Sequence, residues 1–209
     1  MRTFVYVDGL NLYYGCLKRT PYKWLNLKLL SEKVLGPKNE IAKIKLFTTI
    51  VKPTPSNPSV HHRQISYLNA LKHTVPELEI YYGHFLEHVV TMRRETVIKG
   101  EKFVNVIKRE EKGSDVNLAV HFLSDALLGA YDCGVIISND SDIAEAVKLA
   151  SQYTDKTIGI ISPFPRASKE LKQYSHFQRF IRNSALGAAQ LPESIPGTSI
   201  TKPVEWRTP

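Results

Sequence analysis

The sequence predicts an α/β fold built on a mainly parallel central sheet, and three observations support this class. Short apolar and aromatic runs of the kind found in buried strands recur along the chain. Segments with helical periodicity separate these runs, which is typical of strands joined through helical crossovers. The length of 209 residues and the hydrophobic fraction of 43% are sufficient for one domain with a sizeable core.

Each predicted strand has a recognisable end. The first strand covers residues 3–7, where an apolar and aromatic run stops at Asp8-Gly9. The second covers residues 41–51, which are rich in β-branched side chains and are followed by a proline-containing loop. The remaining strands of the central sheet are predicted at residues 78–83, 134–137 and 157–161.

The predicted helices occupy the intervals between these strands. Residues 26–34 form a helix that ends at Gly36-Pro37. Residues 114–128 form another, and its apolar positions are Val116, Ala119, Val120, Leu123, Leu127 and Leu128. The other helices are predicted at residues 10–18, 59–72, 143–150 and 167–174.

Two segments lie outside this alternation of strands and helices. Residues 87–111 contain two β-prone runs on either side of Lys99-Gly100, which predicts a β-hairpin insertion. Residues 183–209 contain four prolines among small and polar side chains, which predicts a C-terminal tail without a core of its own. The domain itself is therefore expected to span residues 1–182.

The charge distribution favours a polyanionic partner. The chain has 28 Lys and Arg against 20 Asp and Glu, a formal net charge of +8 at pH 7. Residues 113–155 hold seven acids and one base, whereas residues 17–48 hold eight bases and two acids. Residues 166–182 hold five bases and one acid. An acidic region between basic flanks indicates metal-dependent chemistry on a phosphodiester backbone.

Several other classes of protein are excluded by composition. The two cysteines, Cys16 and Cys133, are far apart, which excludes a zinc cluster or a disulfide scaffold and favours a reducing, cytoplasmic setting. No apolar run approaches the ~20 residues that span a bilayer, so we expect no membrane partner. The N-terminus enters a strand at once, which predicts no signal peptide. Neither a GxGxxG nor a Walker sequence follows the strands, which argues against a nucleotide cofactor.

Aspartates follow two of the predicted strands. Asp8 ends the first strand, and Asp140 and Asp142 follow the strand at residues 134–137. Because ligands bind beyond the carboxyl ends of strands in parallel sheets, these carboxylates are expected at one edge. Clustered carboxylates repel each other unless a cation such as Mg²⁺ neutralises them.

The helix at residues 114–128 adds a further candidate acid. Asp115 lies in its first turn and is expected at the same edge of the sheet. Asp125 lies ten residues further along, too far to share an ion with Asp115, and is expected to be a surface acid. A purely structural interpretation also exists for every aspartate named here, as a turn residue or a helix cap.

Three motifs occur in a fixed order along the chain: DGLN at 8–11, KGSDVNLA at 112–119 and ISNDSD at 137–142. In this order they resemble the NYN domain, the LabA-like branch of the PIN-like ribonuclease superfamily. The segment SKEL at 168–171 resembles the start of the last helix of that family. The resemblance covers residues 3–182.

The resemblance implies a Rossmann-like, three-layer PIN-like fold and endonucleolytic cleavage of RNA. It implies that a water activated by Mg²⁺ or Mn²⁺ attacks the phosphodiester. The side chains that it places in the metal site are Asp8, Asp115, Asp140 and Asp142. Those that it places around the site as orienting partners are Asn11 and Ser138. This chain has His121 and His176 where relatives often have acids.

Basic side chains near the motifs and on the predicted hairpin are candidate RNA contacts. They are Lys18, Arg19, Arg93, Arg94, Lys108, Arg109, Arg166 and Lys169. Single-stranded regions of RNA are the expected substrate, and a homo-oligomer is left open.

Two other function classes are left open by the residues. One is a non-catalytic RNA-binding or regulatory module on the same fold. The other is a sugar-nucleotide transferase, suggested by the DSD sequence at 140–142, although the motifs around Asp8 and Asp115 argue against it.

Overall fold

A six-stranded parallel sheet and a separate two-stranded ribbon contain all the strands in the described part of the chain. The computed structural model describes residues 1–98 and 100–207. The strands are β1 (Arg2–Asp8), β2 (Glu40–Thr48), β3 (Leu78–Tyr82), β4 (His84–Ile98), β5 (Glu101–Lys112), β6 (Cys133–Ile137), β7 (Thr157–Ser162) and β8 (Phe177–Phe180). The central sheet has the order β3-β2-β1-β6-β7-β8. The predicted α/β class with a mainly parallel sheet is therefore confirmed.

Helices lie between the strands along the chain, and one more follows the last strand. They are α1 (Gly9–Leu12), α2 (Leu27–Leu35), α3 (Val60–Thr74), α4 (Ser114–Leu127), α5 (Ala144–Tyr153), α6 (Lys169–Tyr174) and α7 (Asn183–Ala188). A π-helical turn, Tyr13–Leu17, continues α1, and a 3-10 turn, Ser141–Ile143, leads into α5. Within the described residues, no helix combines the length and the apolar character needed to cross a membrane.

The two faces of the sheet bury separate cores. In β1 the side chains of Val5 and Val7 belong to one core, and Tyr6, which points to the opposite face, belongs to the other. The first core contains residues of α2, α3 and α7, and the second contains residues of α4, α5 and α6. Because both faces are covered, the central strands are apolar throughout and the arrangement has three layers.

The centre of the sheet brings together the ends of β1 and β6. These strands are neighbours and run parallel, with Val7 of β1 opposite Ile137 of β6. The residues that follow, Asp8 and Ser138, therefore emerge side by side at the carboxyl edge of the sheet. β2 lies on the other side of β1, with Phe47 opposite Asp8.

The predicted hairpin insertion is present as a two-stranded antiparallel ribbon. The ribbon runs from His84 paired with Lys112 to Ile98 paired with Glu101, with a register shift between Arg93 and Ile98, so it extends slightly beyond the predicted residues 87–111. Gly100 has a φ of 82°, a conformation that glycine adopts readily in tight turns. Lys99, which we assigned to the turn, lies outside the described residues.

The C-terminal segment packs against the first core, which the sequence analysis did not predict. Leu186 of α7 is fully buried, and the indole N–H of Trp24 donates a hydrogen bond to the Pro192 carbonyl at 2.8 Å. The ring of Trp206 lies 6.3 Å from that of Trp24. The apolar residues of this segment are widely spaced and follow no helical or strand period, so their packing leaves little signal in the sequence.

We expect Leu186→Ala to lower the free energy of unfolding by about 2–5 kcal/mol, because it leaves a cavity in a packed core. Val204→Ala is the matched control in the same segment, since Val204 is 71% exposed and its truncation should cost less than ~0.5 kcal/mol. Urea denaturation followed by circular dichroism measures both. Equal effects of the two substitutions would contradict the packing of this segment.

Candidate metal centre

Asp8 is held by hydrogen bonds to both of its carboxylate oxygens. The Asn11 backbone N–H donates to Oδ1 at 2.9 Å, and the Ser138 hydroxyl donates to Oδ2 at 2.9 Å. The first of these bonds is the N-cap of α1, which forms because Asp8 is extended while the next residues turn into the helix. Asp8 is only 5% exposed, so its carboxylate has a fixed orientation at the end of β1.

The side chains of Asn11 and Ser138 also connect the loops that follow β1 and β6. The Asn11 amide oxygen accepts a hydrogen bond from the Asn139 backbone N–H at 2.9 Å. The Ser138 hydroxyl oxygen accepts one from the Asp140 backbone N–H at 3.0 Å. These contacts fix the position of Asp140 relative to Asp8.

Three of the predicted metal-site carboxylates lie together. Oxygen atoms of Asp8, Asp115 and Asp140 all lie within 4.8 Å of one another. Asp115 reaches the group from the first turn of α4, and the N-cap residue of that helix, Gly113, has a left-handed conformation with a φ of 95°. A side chain at this position would be strained, which explains a glycine immediately before the helix.

Asp142 is not part of this group among the described residues. It is exposed in the 3-10 turn, and its backbone N–H donates to Asp140 Oδ1 at 3.0 Å. Asp140 thus caps the turn as well as joining the carboxylate group. The charge of Asp142 still acts on the site, because it contributes to the raised pKa of Asp115.

The electrostatics of the group favour a bound cation. The pKa of Asp8 is raised to about 6, chiefly by burial and also by the charges of Asp115 and Asp140, against the lowering effect of its two hydrogen bonds. The pKa of Asp115 is also raised, first by burial and then by the charges of Asp140, Glu111 and Asp142. Carboxylate oxygens are the ligands that Mg²⁺ and Mn²⁺ prefer, so the donor set fits such an ion.

The raised pKa of Asp8 predicts a pH-dependent stability of the metal-free protein. The folded state keeps this proton up to about pH 6, whereas the unfolded chain releases it near 3.8, so the stabilising contribution is lost as pH rises between these values. In EDTA at pH 7.5 we therefore expect Asp8→Asn to raise the free energy of unfolding by roughly 3 kcal/mol. The Ser138 hydroxyl can reverse its role and accept from the new amide.

Urea denaturation of both proteins between pH 4 and pH 8 measures this effect. Asp155→Asn is the control, because Asp155 is an exposed aspartate outside the carboxylate group. A lower free energy of unfolding for Asp8→Asn than for the wild type above pH 6 would show that the charged Asp8 carboxylate does not destabilise the metal-free fold.

Glu111 is a further acid at the site that the sequence analysis missed. Its Oε1 accepts hydrogen bonds from the Thr49 hydroxyl at 2.8 Å and the Ser114 hydroxyl at 2.7 Å. It lies at the end of β5 and contributes to the raised pKa of Asp115. Glu111 lies only four residues before Asp115, which is a sequence signal for a place near the site, but it falls within the predicted hairpin at residues 87–111.

Asn139 is a second residue that the sequence analysis did not single out. Its amide oxygen accepts hydrogen bonds from the Ser168 backbone N–H at 2.6 Å and the Ser162 hydroxyl at 3.3 Å. Through these bonds the loop after β6 is tied to the end of β7 and the start of α6. The signal in the sequence was its position inside the ISNDSD motif.

The predicted RNA-contacting bases have different environments. Seven of them are exposed and only Arg94 is half-buried; the exposed ones are Lys18, Arg19, Arg93, Lys108, Arg109, Arg166 and Lys169. Three of the eight form ion pairs on the ribbon, which are Arg94–Glu101, Lys108–Glu110 and Arg109–Glu87.

The prediction that Asp125 is a surface acid is wrong. Its carboxylate forms a 2.6 Å ion pair with Lys45 and accepts a 2.6 Å hydrogen bond from the Tyr6 hydroxyl. Asp125 faces β1 and β2 beneath α4, where a buried lysine requires a counter-charge.

The two histidines that stand where relatives often have acids have other partners. His121 Nδ1 lies 3.4 Å from the Nζ atom of Lys45, which pairs with Asp125. His176 Nδ1 accepts a hydrogen bond from the Ile158 backbone N–H at 3.0 Å. In the described residues, neither histidine belongs to the carboxylate group.

Comparison with known proteins decides the family. A model of the NYN domain matches residues 2–183. The chain belongs to the NYN domain family. The family implies the PIN-like nuclease superfamily, and with it a nuclease-type hydrolase that acts on RNA.

One relative of this chain comes from Pseudomonas putida (strain DSM 28022 / S16). It is named 6-hydroxy-3-succinoylpyridine 3-monooxygenase HspA and is 35% identical over 235 aligned positions. The match covers 99% of this chain and 75% of the relative.

A solved structure, of a protein of unknown function (VPA0982) from Vibrio parahaemolyticus RIMD 2210633, is also similar. It has a TM-score of 0.52 and 18% sequence identity, and covers 91% of this chain and 96% of that one. At this identity the likeness shows the fold alone.

Proposed function

We propose that this NYN domain is a metal-dependent endoribonuclease. The observation that carries the proposal is the convergence of Asp8, Asp115 and Asp140 within 4.8 Å at the carboxyl edge of the sheet. Helix capping explains the hydrogen bonds of Asp8 and Asp140 individually. It does not explain why three mutually repelling carboxylates, two with raised pKa values, lie together.

The residues at this centre have two different roles in the proposal, metal binding and orientation of the metal-binding carboxylates. Asp8, Asp115 and Asp140 would hold Mg²⁺ or Mn²⁺, which when bound supplies an activated water and neutralises charge on the scissile phosphate. Asn11 and Ser138 orient the carboxylates through their hydrogen bonds.

Two further acids, which do not belong to the carboxylate group, affect the position and the charge environment of its members. Asp142 positions Asp140 through its backbone N–H and adds negative charge close to Asp115. Glu111 orders the start of α4 by accepting from the backbone N–H of Ser114 at 3.2 Å. Both are positioning residues in this proposal.

The substrate would be an RNA with single-stranded regions. The net charge of +8 favours a polyanion, and exposed bases flank the acidic centre. The two free cysteines, Cys16 and Cys133, fit a reducing, cytoplasmic setting. A homo-oligomer is compatible with the proposal and is not required by it.

The ribbon is proposed to contact the RNA backbone through Arg93 and Arg94. Replacing both with alanine should weaken RNA binding and reduce the log–log salt slope by up to ~0.7 for each lost phosphate contact. The cleavage rate at saturating RNA should change little. The control is Lys33→Ala with Lys38→Ala, two exposed lysines near the amino edge of the sheet. Filter-binding titrations at several salt concentrations measure the slope, and equal effects of the two pairs would contradict a specific role of the ribbon.

Cleavage of an unstructured, internally labelled RNA tests the proposed activity. The purified chain should produce internal cuts with Mg²⁺ or Mn²⁺, lose activity in EDTA and regain it when excess Mn²⁺ is added. Cleavage that persists in EDTA would exclude the metal-dependent mechanism. RNA binding without cleavage under any metal would instead support a non-catalytic RNA-binding module.

A second candidate function is oxygenation of a small heteroaromatic compound. The observation that favours it is the match with the Pseudomonas relative, whose name describes a monooxygenase and which covers nearly all of this chain. A monooxygenase needs two electrons from a reductant for each O₂. Oxygen uptake that requires both 6-hydroxy-3-succinoylpyridine and a reduced nicotinamide cofactor would support this candidate, and its absence would leave the nuclease proposal.

A further inference from the structure

A cavity of about 510 Å³ adjoins the segment that carries the metal centre. Gly9, which follows Asp8, forms part of its wall. The floor is made of buried leucines from five elements, and this volume is within the range typical of small-molecule sites. The floor residues are Leu12, Leu17, Leu27, Leu46 and Leu68.

Aromatic side chains form much of the remaining wall. Tyr13 and Tyr14 come from the π-helical turn, a rare element that often occurs at functional sites. The Tyr67 hydroxyl donates to the Leu25 carbonyl at 2.8 Å, which fixes its ring, and Trp206 packs against it at 6.1 Å. Flat rings set in an apolar wall favour a planar, largely apolar ligand.

The charged residues around the cavity are all basic. Among the described residues that line it, Lys18, Lys23, Lys52 and Arg109 are cationic and none is an acid. Lys18, Lys52 and Arg109 are exposed whereas the leucines are buried, so the positive charge lies at the mouth.

Two of these cations are available for a ligand. Arg109 already pairs with Glu87 at 2.6 Å, and Lys23 Nζ donates to the Thr20 carbonyl at 2.7 Å. Within residues 1–98 and 100–207, Lys18 and Lys52 form no ion pair with an acid. Lys18 Nζ lies 4.8 Å from the centre of the Tyr14 ring, so a cation and an aromatic wall lie together at the mouth.

We propose that this cavity binds a small planar aromatic carboxylate, with its ring between the tyrosines and leucines and its carboxylate at Lys18 and Lys52. An RNA phosphate would gain nothing from the leucine floor, because its oxygens need polar partners. The site is distinct from the carboxylate group, and its occupancy requires neither RNA cleavage nor a metal.

Isothermal titration calorimetry with 2-naphthoate tests the site on the full chain, in EDTA and without RNA. The neutral isostere 2-naphthamide has the same ring system and lacks the charge, so we expect it to bind at least about tenfold more weakly. The double substitution Lys18→Gln with Lys52→Gln should weaken naphthoate binding about tenfold and leave naphthamide binding unchanged. The control pair is Arg19→Gln with Lys38→Gln, two exposed bases that do not line the cavity.

Four results would overturn the proposal. The first is no binding of naphthoate at millimolar concentration, and the second is equal affinity for naphthoate and naphthamide. The third is equal weakening of naphthoate binding by the cavity pair and the control pair. The fourth is displacement of naphthoate by uridine 5′-monophosphate at a concentration lower than that of the naphthoate, which would make the cavity a nucleotide subsite. All four substituted positions are exposed, and urea denaturation of each variant checks that the fold is kept.

Discussion

Asp8→Asn is expected to lower the single-turnover rate of RNA cleavage by about 10³-fold, on the scale of removing one charge-stabilising group from an active site. The substitution keeps the size of the side chain and removes one carboxylate from the group formed with Asp115 and Asp140. RNA binding should be unchanged or tighter, because a buried negative charge near the phosphate is removed. Metal chemistry acts mainly on the transition state, so the loss should appear in the rate and not in the affinity.

Asp155→Asn is the matched control for this prediction, since it removes an exposed carboxylate away from the site. Cleavage at saturating RNA gives the rate, and filter binding in EDTA gives the affinity. If Asp8→Asn cleaves at the wild-type rate, Asp8 is only a helix cap and the proposed site is wrong.

Asp140→Asn and Asp142→Asn should differ by two orders of magnitude or more in their effect on the same rate. Asp140 belongs to the carboxylate group, so its substitution should cost about as much as Asp8→Asn, roughly 10³-fold. Asp142 is exposed and acts on Asp140 through its backbone N–H, which the substitution retains. We therefore expect Asp142→Asn to cost less than about tenfold.

The two substitutions test whether the structure or the sequence motif identifies the metal ligands correctly. The motif predicts the same role for Asp140 and Asp142, whereas the structure places only Asp140 in the carboxylate group. Both substitutions remove one charge from the same turn, so each serves as the control for the other. Equal large losses would place Asp142 among the ligands, and equal small losses would remove Asp140 from them. Mn²⁺ titration of each variant shows whether a loss is recovered at higher metal concentration.

The fold was predictable from the sequence wherever the hydrophobic pattern of a segment matches the positions that are buried in the structure. The runs in β1 and β6 are buried on both faces, so they read as continuous apolar strands in the sequence. β8 was not predicted, because this four-residue edge strand has the sequence FQRF and is only partly buried. In α4 the helix was predicted but its buried face was not, since Leu118 and Phe122 face the core whereas Val116 is 66% exposed.

The candidate site was predictable to the extent that it lies at strand ends. Asp8 and Asp140 follow neighbouring parallel strands, and the rule for ligand sites in such sheets applies to both. Glu111 was missed because its place depends on the geometry of the ribbon, which brings the end of β5 to Thr49. The cavity was missed because residues from α1, β2, α3, β5 and the C-terminal segment form it together.

Anomalous diffraction from a crystal soaked in Mn²⁺ tests the central claim most directly. The account predicts an anomalous peak in contact with carboxylate oxygens of Asp8, Asp115 and Asp140, at the metal–oxygen distance of about 2.1 Å typical of such ions. The peak should be absent from crystals of Asp8→Asn soaked in the same way. A wild-type crystal with no peak at these carboxylates, or with Mn²⁺ bound only elsewhere, would contradict the metal centre.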